Sequence, residues 1–200
     1  RRAPSPPSAR TTRPITRKEA ILAKKVLLVA AARPNFMKIA PIWRVMATRP
    51  GQLDPVLVHT GQHYDANMSE VFFADLAIPA PNINLEIGSG SHGVQTGAML
   101  AALDPILADL SPDWVLVYGD TNSTLAGALS AVKQHLRVAH LEAGLRSFNR
   151  RMPEEINRIL ADHLSRWLIC PTETAVANLR REGFDRVVQQ GKLIPRDWSP

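Results

Sequence analysis

Three acidic residues and two basic residues follow short apolar runs of this sequence, where a charged ligand could meet them. Asp120 ends the run WVLVYGD, Glu142 is the last residue but one of the run RVAHLEA, and Glu154 comes soon afterwards in MPEE. Carboxyl groups placed in this way can serve as the base and the acid of a proton transfer. Arg33 and Lys38 follow the first apolar run, and cations there would hold the charge of a phosphate-bearing ligand.

Each of these side chains also has an ordinary structural explanation. Asp120 could be only a helix cap. Glu154 and Glu155 could complement the dipole of a helix that begins beside them, and for one of the two this is the better interpretation. Glu142 is harder to explain in this way. A Glu at the end of an apolar strand costs free energy unless it is paired or solvated in a cleft.

Short β-branched runs alternate with longer segments of helical spacing from Lys25 onward. The runs at 26–32, 114–120 and 137–143 are continuously apolar, which is typical of strands buried on both faces of a parallel sheet. The alternation predicts an α/β fold with a doubly wound, mainly parallel, Rossmann-like sheet. Further strands are predicted at 55–61, 83–88 and 166–171, and helices at 35–49, 65–76, 92–110, 122–134, 153–165 and 173–182.

Two of the predicted helices carry additional signals. Pro153 suits the first position of a helix with an acidic first turn, so a helix is predicted to begin there. Ile156, Leu160 and Leu164 recur in that helix with a spacing of four and predict a stripe that faces the core. Pro41 is expected to kink or split the helix that follows the first strand.

The segments that follow the strands carry the candidate site, because ligands of an open α/β sheet bind at the carboxyl ends of its strands. ARPNFMK follows the first strand, GDTNST the fourth and EAGLRS the fifth, so their carboxylates and cations should face one crevice. The first turn, AAARPN, contains no glycine. The dinucleotide fingerprint is therefore missing there, and a nicotinamide-dependent oxidoreductase is disfavoured.

The sequence predicts no metal and no cofactor. Its one cysteine, Cys170, excludes an internal disulfide and is too few for a cysteine-based metal site. The segment His140-Leu141-Glu142 resembles the H-x-E of zinc deaminases, but no C-x-x-C follows it. We therefore interpret His140 as a strand residue with a hydrogen-bonded ring. The glycines of GSGSHG, at 88–93, are interpreted as a flexible loop.

The net charge of +6 lies in the N-terminal segment. Residues 1–25 contain eight Lys and Arg against Glu19 alone, which leaves the rest of the chain at −1. No nucleic-acid partner is expected, because a binding domain carries its basic patch on the folded surface. Residues 1–24, rich in Pro, Ser, Thr and Arg, are predicted to be a disordered tail, although their composition also resembles a transit peptide.

No apolar run approaches the roughly 18 residues that a membrane-spanning helix needs, so no membrane partner is expected. The apolar run that begins at Val26 could mimic the core of a signal peptide. It is short, however, and it fits the first strand of the α/β series. The single cysteine makes a reducing cytoplasm the expected location.

Five blocks of the sequence together resemble successive blocks of the non-hydrolysing UDP-N-acetylglucosamine 2-epimerases. They are ARPNFMKIAPI, TGQHYD, DWVLVYGDTNSTLAGALSA, RVAHLEAGLRSFNRRMPEEINR and PTETAVANL, and they span roughly residues 25–190. The resemblance implies a GT-B enzyme, with the active site between two Rossmann-like domains. It implies interconversion of UDP-N-acetylglucosamine and UDP-N-acetylmannosamine through elimination and re-addition of UDP, without a metal or a redox cofactor.

The resemblance also implies roles for individual residues. Asp120, Glu142 and Glu154 match the catalytic acidic residues of the family, with acid and base left unassigned. The positions that it implies near the substrate are Arg33, Lys38, Gln62, His63 and Arg146. The family members that a second UDP-sugar activates carry Gln-His-Arg where this chain has Gln-His-Tyr, which leaves that activation open.

The sequence departs from the family pattern at both ends. Residues 1–24 have no counterpart. At Gly191 the family continues into a second domain that carries most of the UDP site, whereas residues 191–200 read GKLIPRDWSP. We therefore expect an epimerase N-terminal domain over 25–190, truncated or frameshifted afterwards, with no epimerase activity by itself.

Three other functions stay open. The chain could be a catalytically silent fragment that binds a partner or a second copy of itself as a homodimer. It could belong to an epimerase of another UDP-acetamido sugar, such as a UDP-diacetamido-uronic acid. It could also belong to a hydrolysing relative that releases N-acetylmannosamine, although ARPNFMK suits the non-hydrolysing branch better.

Overall fold

The computed structural model describes residues 23–31, 33–61, 73, 75–185, 187–189 and 192–194. The strands of its main sheet are β1 (Lys24–Ala30), β2 (Leu53–His59), β3 (Ile83–Asn84), β4 (Trp114–Tyr118), β5 (Val138–Leu141) and β6 (Trp167–Ile169). The helices that we number are α1 (Arg33–Ala47), α2 (His92–Leu110), α3 (Asn122–Lys133), α4 (Pro153–Leu164) and α5 (Glu173–Arg181). A short antiparallel pair follows, β7 (Val187–Gln189) and β8 (Lys192–Ile194).

The main sheet is parallel throughout and has the strand order β3-β2-β1-β4-β5-β6. This order confirms the predicted doubly wound, Rossmann-like α/β fold. β2 and β3 are added on one side of β1, whereas β4, β5 and β6 are added on its other side, so the strand order reverses between β1 and β4. A crevice opens at the carboxyl ends of the strands at such a reversal, and ligands of this fold class bind there.

Helices cover both faces of the sheet and bury its central strands, as the continuous apolar runs predicted. Leu27 and Leu28 are adjacent in β1, are both 0% exposed and lie in different core clusters. One cluster contains Phe36 and Ile39 of α1, and the other contains Met99 of α2 and residues of α3. The helices that follow β1 and β4 therefore begin at the same edge of the sheet, on opposite faces.

The helix after the first strand is not split at Pro41. α1 runs from Arg33 to Ala47 with Pro41 inside it. A proline there removes the hydrogen bond to the carbonyl of Met37. Pro41 and Met37 are both exposed, so the proline lies on the outer face of the helix. The expected split does not occur, and the alternative, a kink, stays a prediction.

The core stripe predicted for α4 is also wrong. Its helix begins at Pro153 with an acidic first turn, as predicted. However, Ile156 is 46% and Leu160 is 44% exposed, and only Leu164 packs against the core. The buried residues of the helix are Glu155, Asn157, Ala161 and Asp162. The sequence predicted the helix correctly but not which of its faces is buried. The buried polar side chains make hydrogen bonds, and a hydropathy pattern does not register them.

Several expectations fall wholly or partly outside the described residues. They include the disordered tail up to residue 22, most of the helix at 65–76 and most of the divergent segment 191–200, of which β8 is described. Lys24 already belongs to β1, and its Nζ lies 2.7 Å from Asp113 Oδ1. Within the described part of the chain, no helix has the length and apolar character needed to cross a membrane.

Candidate functional site

The site is built around the turn that follows β4, at Gly119 and Asp120. Gly119 has a φ of +66°, in the left-handed region that favours glycine. A Cβ on this residue would lie 3.3 Å from Glu142 Oε2 and 3.4 Å from Lys38 Nζ. The backbone conformation therefore favours a glycine here, and an added Cβ would also crowd the ends of these two charged side chains.

Glu142 and Lys38 form an ion pair above this glycine. Lys38 reaches Glu142 from α1, and their side chains are 31% and 33% exposed, so the pair is open to a ligand. Glu142 follows β5 directly and has a φ of +70°. A non-glycine residue in this region carries a conformational cost, and such residues are concentrated at functional sites.

Asp120 is held by two residues of α4. Arg158 Nη2 lies 2.7 Å from Asp120 Oδ2, and the Asn157 side-chain amide donates to the Asp120 carbonyl at 2.9 Å. The Arg158 side chain is 13% exposed, while that of Asp120 is 37% exposed. The carboxylate therefore has a fixed cationic neighbour and still faces solvent.

The two glutamates at the start of α4 have different environments. Glu154 is partly exposed, and its backbone carbonyl accepts a hydrogen bond from Arg158 Nε at 3.3 Å. Glu155 is 1% exposed and accepts hydrogen bonds of 2.9–3.0 Å from Ser147 N and Oγ and from Phe148 N. Glu155 therefore shapes the loop before α4, and Glu154 is the glutamate that a ligand can reach.

The pKa of Glu155 reflects these contacts. Burial alone would raise the pKa, but the hydrogen bonds from Ser147 and Phe148, together with the nearby charge of Arg158, lower it below its usual value. A carboxyl group held ionised in this way fixes a loop through charge-assisted hydrogen bonds. It does not act as a proton donor near neutral pH.

Arg146 lies inside the protein and is occupied by acidic partners. Its side chain is 1% exposed, with Nη1 at 2.7 Å from Asp162 Oδ2. Nε and Nη2 each donate to the Glu182 carboxylate at 2.7 Å. Burial would lower the pKa of Arg146, but the contacts with Glu182 and Asp162 hold it above its usual value. The structure thus places this expected substrate contact in an internal ion-pair cluster.

His140 has the hydrogen-bonded ring that the sequence predicted, with partners that it did not reveal. Nδ1 lies 2.6 Å from Asp162 Oδ1, and Nε2 lies 2.7 Å from the Gly119 carbonyl oxygen. Asp162 also accepts a hydrogen bond from Gly144 N at 3.1 Å. This buried cluster therefore lies directly behind the Gly119–Asp120 turn.

The start of α1 is joined to the end of β4 by Asn35. Its Oδ1 accepts from Ala31 N at 3.0 Å, and its Nδ2 donates to the Tyr118 carbonyl at 3.3 Å. The backbone of Arg33 opens this helix, but its side chain lies outside the described structure. Gln62 and His63 also lie outside the described residues.

The structure brings Lys38, Glu142 and the Gly119–Asp120 turn together at one edge of the sheet, with Arg158 beside them. Sequence reasoning missed Asn157 and Arg158, although a helical arginine four positions after Glu154 was a readable signal. In the described ranges, no group of three or more His, Cys, Asp or Glu residues could hold a metal ion.

A parallel sheet in this order, with its charged pairs at the carboxyl edge, defines a Rossmann-like α/β domain of the ligand-binding type. Comparison with known proteins makes the assignment specific. The model of the UDP-N-acetylglucosamine 2-epimerase family matches residues 46–194, and the chain belongs to this family.

Relatives from several organisms agree with this assignment. A UDP-N-acetylglucosamine 2-epimerase homolog of Methanococcus maripaludis is 54% identical over 161 residues, which cover 80% of this chain and 44% of that protein. The UDP-2,3-diacetamido-2,3-dideoxy-D-glucuronate 2-epimerase of Pseudomonas aeruginosa is 54% identical over 162 residues, which cover 81% and 46%.

The fold agrees with a solved structure as well. The crystal structure of the Methanocaldococcus jannaschii UDP-GlcNAc 2-epimerase, in complex with UDP-GlcNAc and UDP, matches with a TM-score of 0.77 and 51% identity. The match covers 80% of this chain and 44% of that chain. These findings confirm the resemblance drawn from the sequence motifs. The chain spans less than half the length of the relatives that it matches.

Proposed function

We propose that this chain forms one wall of the active site of an epimerase that inverts C2 of a UDP-2-acetamido sugar. The observation that carries the proposal is the Lys38–Glu142 ion pair above Gly119, beside an Asp120 that Arg158 fixes. This arrangement lies at the ligand-binding edge of the sheet. The substrate class follows from relatives whose names specify UDP-N-acetylglucosamine or a UDP-diacetamido-uronate.

The proposed reaction uses the carboxylates for proton transfer and the cations for the leaving group. One of Asp120, Glu142 and Glu154 removes the C2 proton while the C1–oxygen bond to UDP breaks, which leaves a 2-acetamidoglucal. Another of these carboxyl groups, in its acid form, donates a proton to the opposite face of C2, and UDP adds back at C1. Lys38 and Arg33 are proposed to hold the charge of the departing diphosphate. Arg146 is omitted from the proposed contacts, because internal carboxylates occupy its guanidinium.

We also propose that these 200 residues have no epimerase activity by themselves. The side chains of Lys38 and Glu142 are about one-third exposed on an open wall. Charged groups stabilise a departing diphosphate most strongly where water is excluded, because the local dielectric is then low. The relatives are more than twice as long as the matched segment, and their remaining length could supply the facing wall.

A second substrate has equal support. The Pseudomonas aeruginosa relative, named for a 2,3-diacetamido-glucuronate, is as similar to this chain as the Methanococcus maripaludis homolog is. Both substrates carry a 2-acetamido group on a UDP-linked sugar, so the proton transfer at C2 is the same. The assay below is therefore run with each substrate.

The test is incubation with the UDP-sugar in deuterated water, with deuterium at C2 and the C2 epimer as readouts. Three proteins are compared: this chain, a chimera that joins residues 25–190 to the C-terminal half of the Methanocaldococcus jannaschii relative, and that chimera with Glu142→Gln. The unmodified relative is the positive control.

We expect no exchange with the chain alone and exchange with the chimera. Glu142→Gln is expected to lower the rate of the chimera by about 100-fold or more, the usual effect of losing an acid–base group. A folded chimera that exchanges neither substrate would contradict the proposed reaction. Exchange at an enzymatic rate by the chain alone would contradict the proposed need for a second wall.

A further inference from the structure

A buried cluster of four charged or chargeable groups lies behind the site turn. His140 and Asp162 are 0% exposed, Arg146 is 1% exposed, and Glu182 closes the cluster at the end of α5. They come from β5, α4, the loop after β5 and the residue after α5. The proposed catalytic steps use none of them, so their burial needs another explanation.

The contacts of His140 determine where its ring donates a hydrogen bond. Nε2 lies 2.7 Å from the Gly119 carbonyl, which can only accept a hydrogen bond, so Nε2 carries the hydrogen of this contact. Nδ1 lies 2.6 Å from a carboxylate oxygen of Asp162, while the other oxygen of that carboxylate accepts from Gly144 N and Arg146. The ring is therefore held on both sides.

The buried charged groups of the cluster are paired. Arg146 contacts the carboxylates of Asp162 and Glu182, and Asp162 also contacts the His140 ring. From the neighbouring strands, β4 presents the Gly119 carbonyl, and β6 pairs the backbone of Leu168 with that of His140. His163 Nε2 lies 3.6 Å from Glu182 at the solvent-facing side. The buried charge of Arg146 is thus compensated, as a buried charge must be.

Three consecutive carbonyls, from the last residue of β4 through the site turn, each accept a hydrogen bond from a side chain. Thr124 Oγ1 donates to the Tyr118 carbonyl at 2.7 Å, His140 to that of Gly119, and Asn157 to that of Asp120. The His140 ring reaches the middle carbonyl and is itself held by Asp162 at Nδ1. His140 therefore holds the centre of the turn.

We propose that His140 is a positioning residue, which Asp162 orients and which fixes the Gly119–Asp120 turn. It acts through the Gly119 carbonyl. The turn sets the position of Asp120. It also sets the position of the Gly119 backbone, above which Lys38 and Glu142 meet. The catalytic meaning of this role rests on the proposed function, but the hydrogen bonds can be tested in the chain without any substrate.

The test is NMR spectroscopy of the full 200-residue chain, labelled with ¹³C and ¹⁵N. We expect His140 Nε2 to carry a hydrogen, and a scalar coupling through the hydrogen bond should connect this nitrogen to the Gly119 carbonyl carbon. A hydrogen-free Nε2, or the absence of the coupling under conditions that detect backbone hydrogen-bond couplings, would overturn the proposal.

Asp162→Asn and Leu107→Ala form the matched comparison. Asp162→Asn should alter the hydrogen bond at His140 Nδ1 and shift the backbone signals of Gly119 and Asp120. Leu107 is 1% exposed near the end of α2, away from this turn, so Leu107→Ala should lower stability without those shifts. Equal shifts in the two variants would contradict the positioning role. Because no UDP-sugar enters this test, its failure is distinct from failure of the proposed epimerase reaction.

Discussion

Lys38 and Glu142 meet directly above the backbone of Gly119, so one charged contact joins the first helix to the end of the fifth strand across the fourth. The pair is about one-third exposed. Ion pairs with this much access to water contribute only about 0–1 kcal/mol to stability. If Lys38 left Glu142 and contacted a ligand phosphate instead, the loss of this ion pair would therefore cost little free energy.

The left-handed backbone of Glu142 predicts an unusual order of stability among its variants. Glu142→Ala and Glu142→Gly both remove the ion pair, but only glycine adopts a φ of +70° without a steric cost. We expect the Gly variant to be more stable than the Ala variant by about 1 kcal/mol, measured by urea denaturation. Equal stability, or a more stable Ala variant, would show that the backbone relaxes here.

Glu155 should make the stability of the chain depend on pH. Its folded pKa lies below the unfolded value, so its contribution is present at neutral pH. The contribution is lost as the pH falls from the ordinary carboxyl range through the folded pKa. Glu155→Gln is expected to cost about 1–3 kcal/mol at pH 7, because it weakens the hydrogen bonds to the 147–148 loop.

The measurement for Glu155 is chemical denaturation of wild type and variant between pH 7 and pH 2.5. The difference in free energy of unfolding between the wild type and Glu155→Gln should become smaller as the pH falls. Glu154→Gln is the control, since the Glu154 carboxylate accepts none of those loop hydrogen bonds. A difference between wild type and Glu155→Gln that stays constant with pH would contradict the linkage.

Two glycines should respond in opposite directions to alanine. A Cβ on Gly144 would lie 2.4 Å from the Ala175 carbonyl oxygen, and its φ is +79°. Gly97 lies inside α2 with nothing within 4 Å of such an atom. Gly144→Ala should lower the free energy of unfolding by about 2 kcal/mol or more, and Gly97→Ala should raise it by about 0.5–1 kcal/mol. Thermal denaturation of both variants measures this contrast.

Arg146 should contribute to the stability of the fold, independently of any role in ligand binding. Arg146→Met leaves the buried Asp162 carboxylate without its arginine and is expected to cost about 3–5 kcal/mol. Arg181→Met, at an exposed position in the last turn of α5, should change stability by less than about 0.5 kcal/mol. Urea midpoints of the two variants provide the measurement. A near-neutral Arg146→Met would argue against a structural role for the ion-pair cluster.

The exposed stripe of α4 gives a direct check on the orientation of that helix. Ile156→Glu should change the melting temperature little, because Ile156 is 46% exposed. Ala161→Glu introduces a charge at a position that is 0% exposed and should destabilise the fold strongly. If α4 instead buried the Ile156 face, the two variants would exchange their effects.

Sequence patterns predicted the framework well, because burial on both faces of a parallel sheet leaves a continuous apolar signal. The helix at 92–110 and the start at Pro153 agree with the structure. The placement of Asp120 and Glu142 after neighbouring strands also followed from the pattern, since parallel strands end at a common edge.

The internal partners of the polar residues could not be predicted in the same way. Arg146 stands in the motif EAGLRS among candidate ligands, yet its partner Glu182 lies 36 positions further along the chain. Such contacts depend on how α4 and α5 pack, which hydropathy does not encode. The same reason explains the inverted face of α4, where Asn157 and Asp162 are buried and Ile156 is not.

The polar inner face of α4 has a consequence for how the protein tolerates change. Apolar surfaces can slide past one another at small cost, whereas hydrogen bonds require both a distance and an angle. The hydrogen bonds of Asn157, Arg158 and Asp162 therefore fix the rotation and the axial position of the helix. A redesign that replaced this face and its buried ionic partners together by well-packed apolar residues would keep the fold stable and still leave the site turn misaligned.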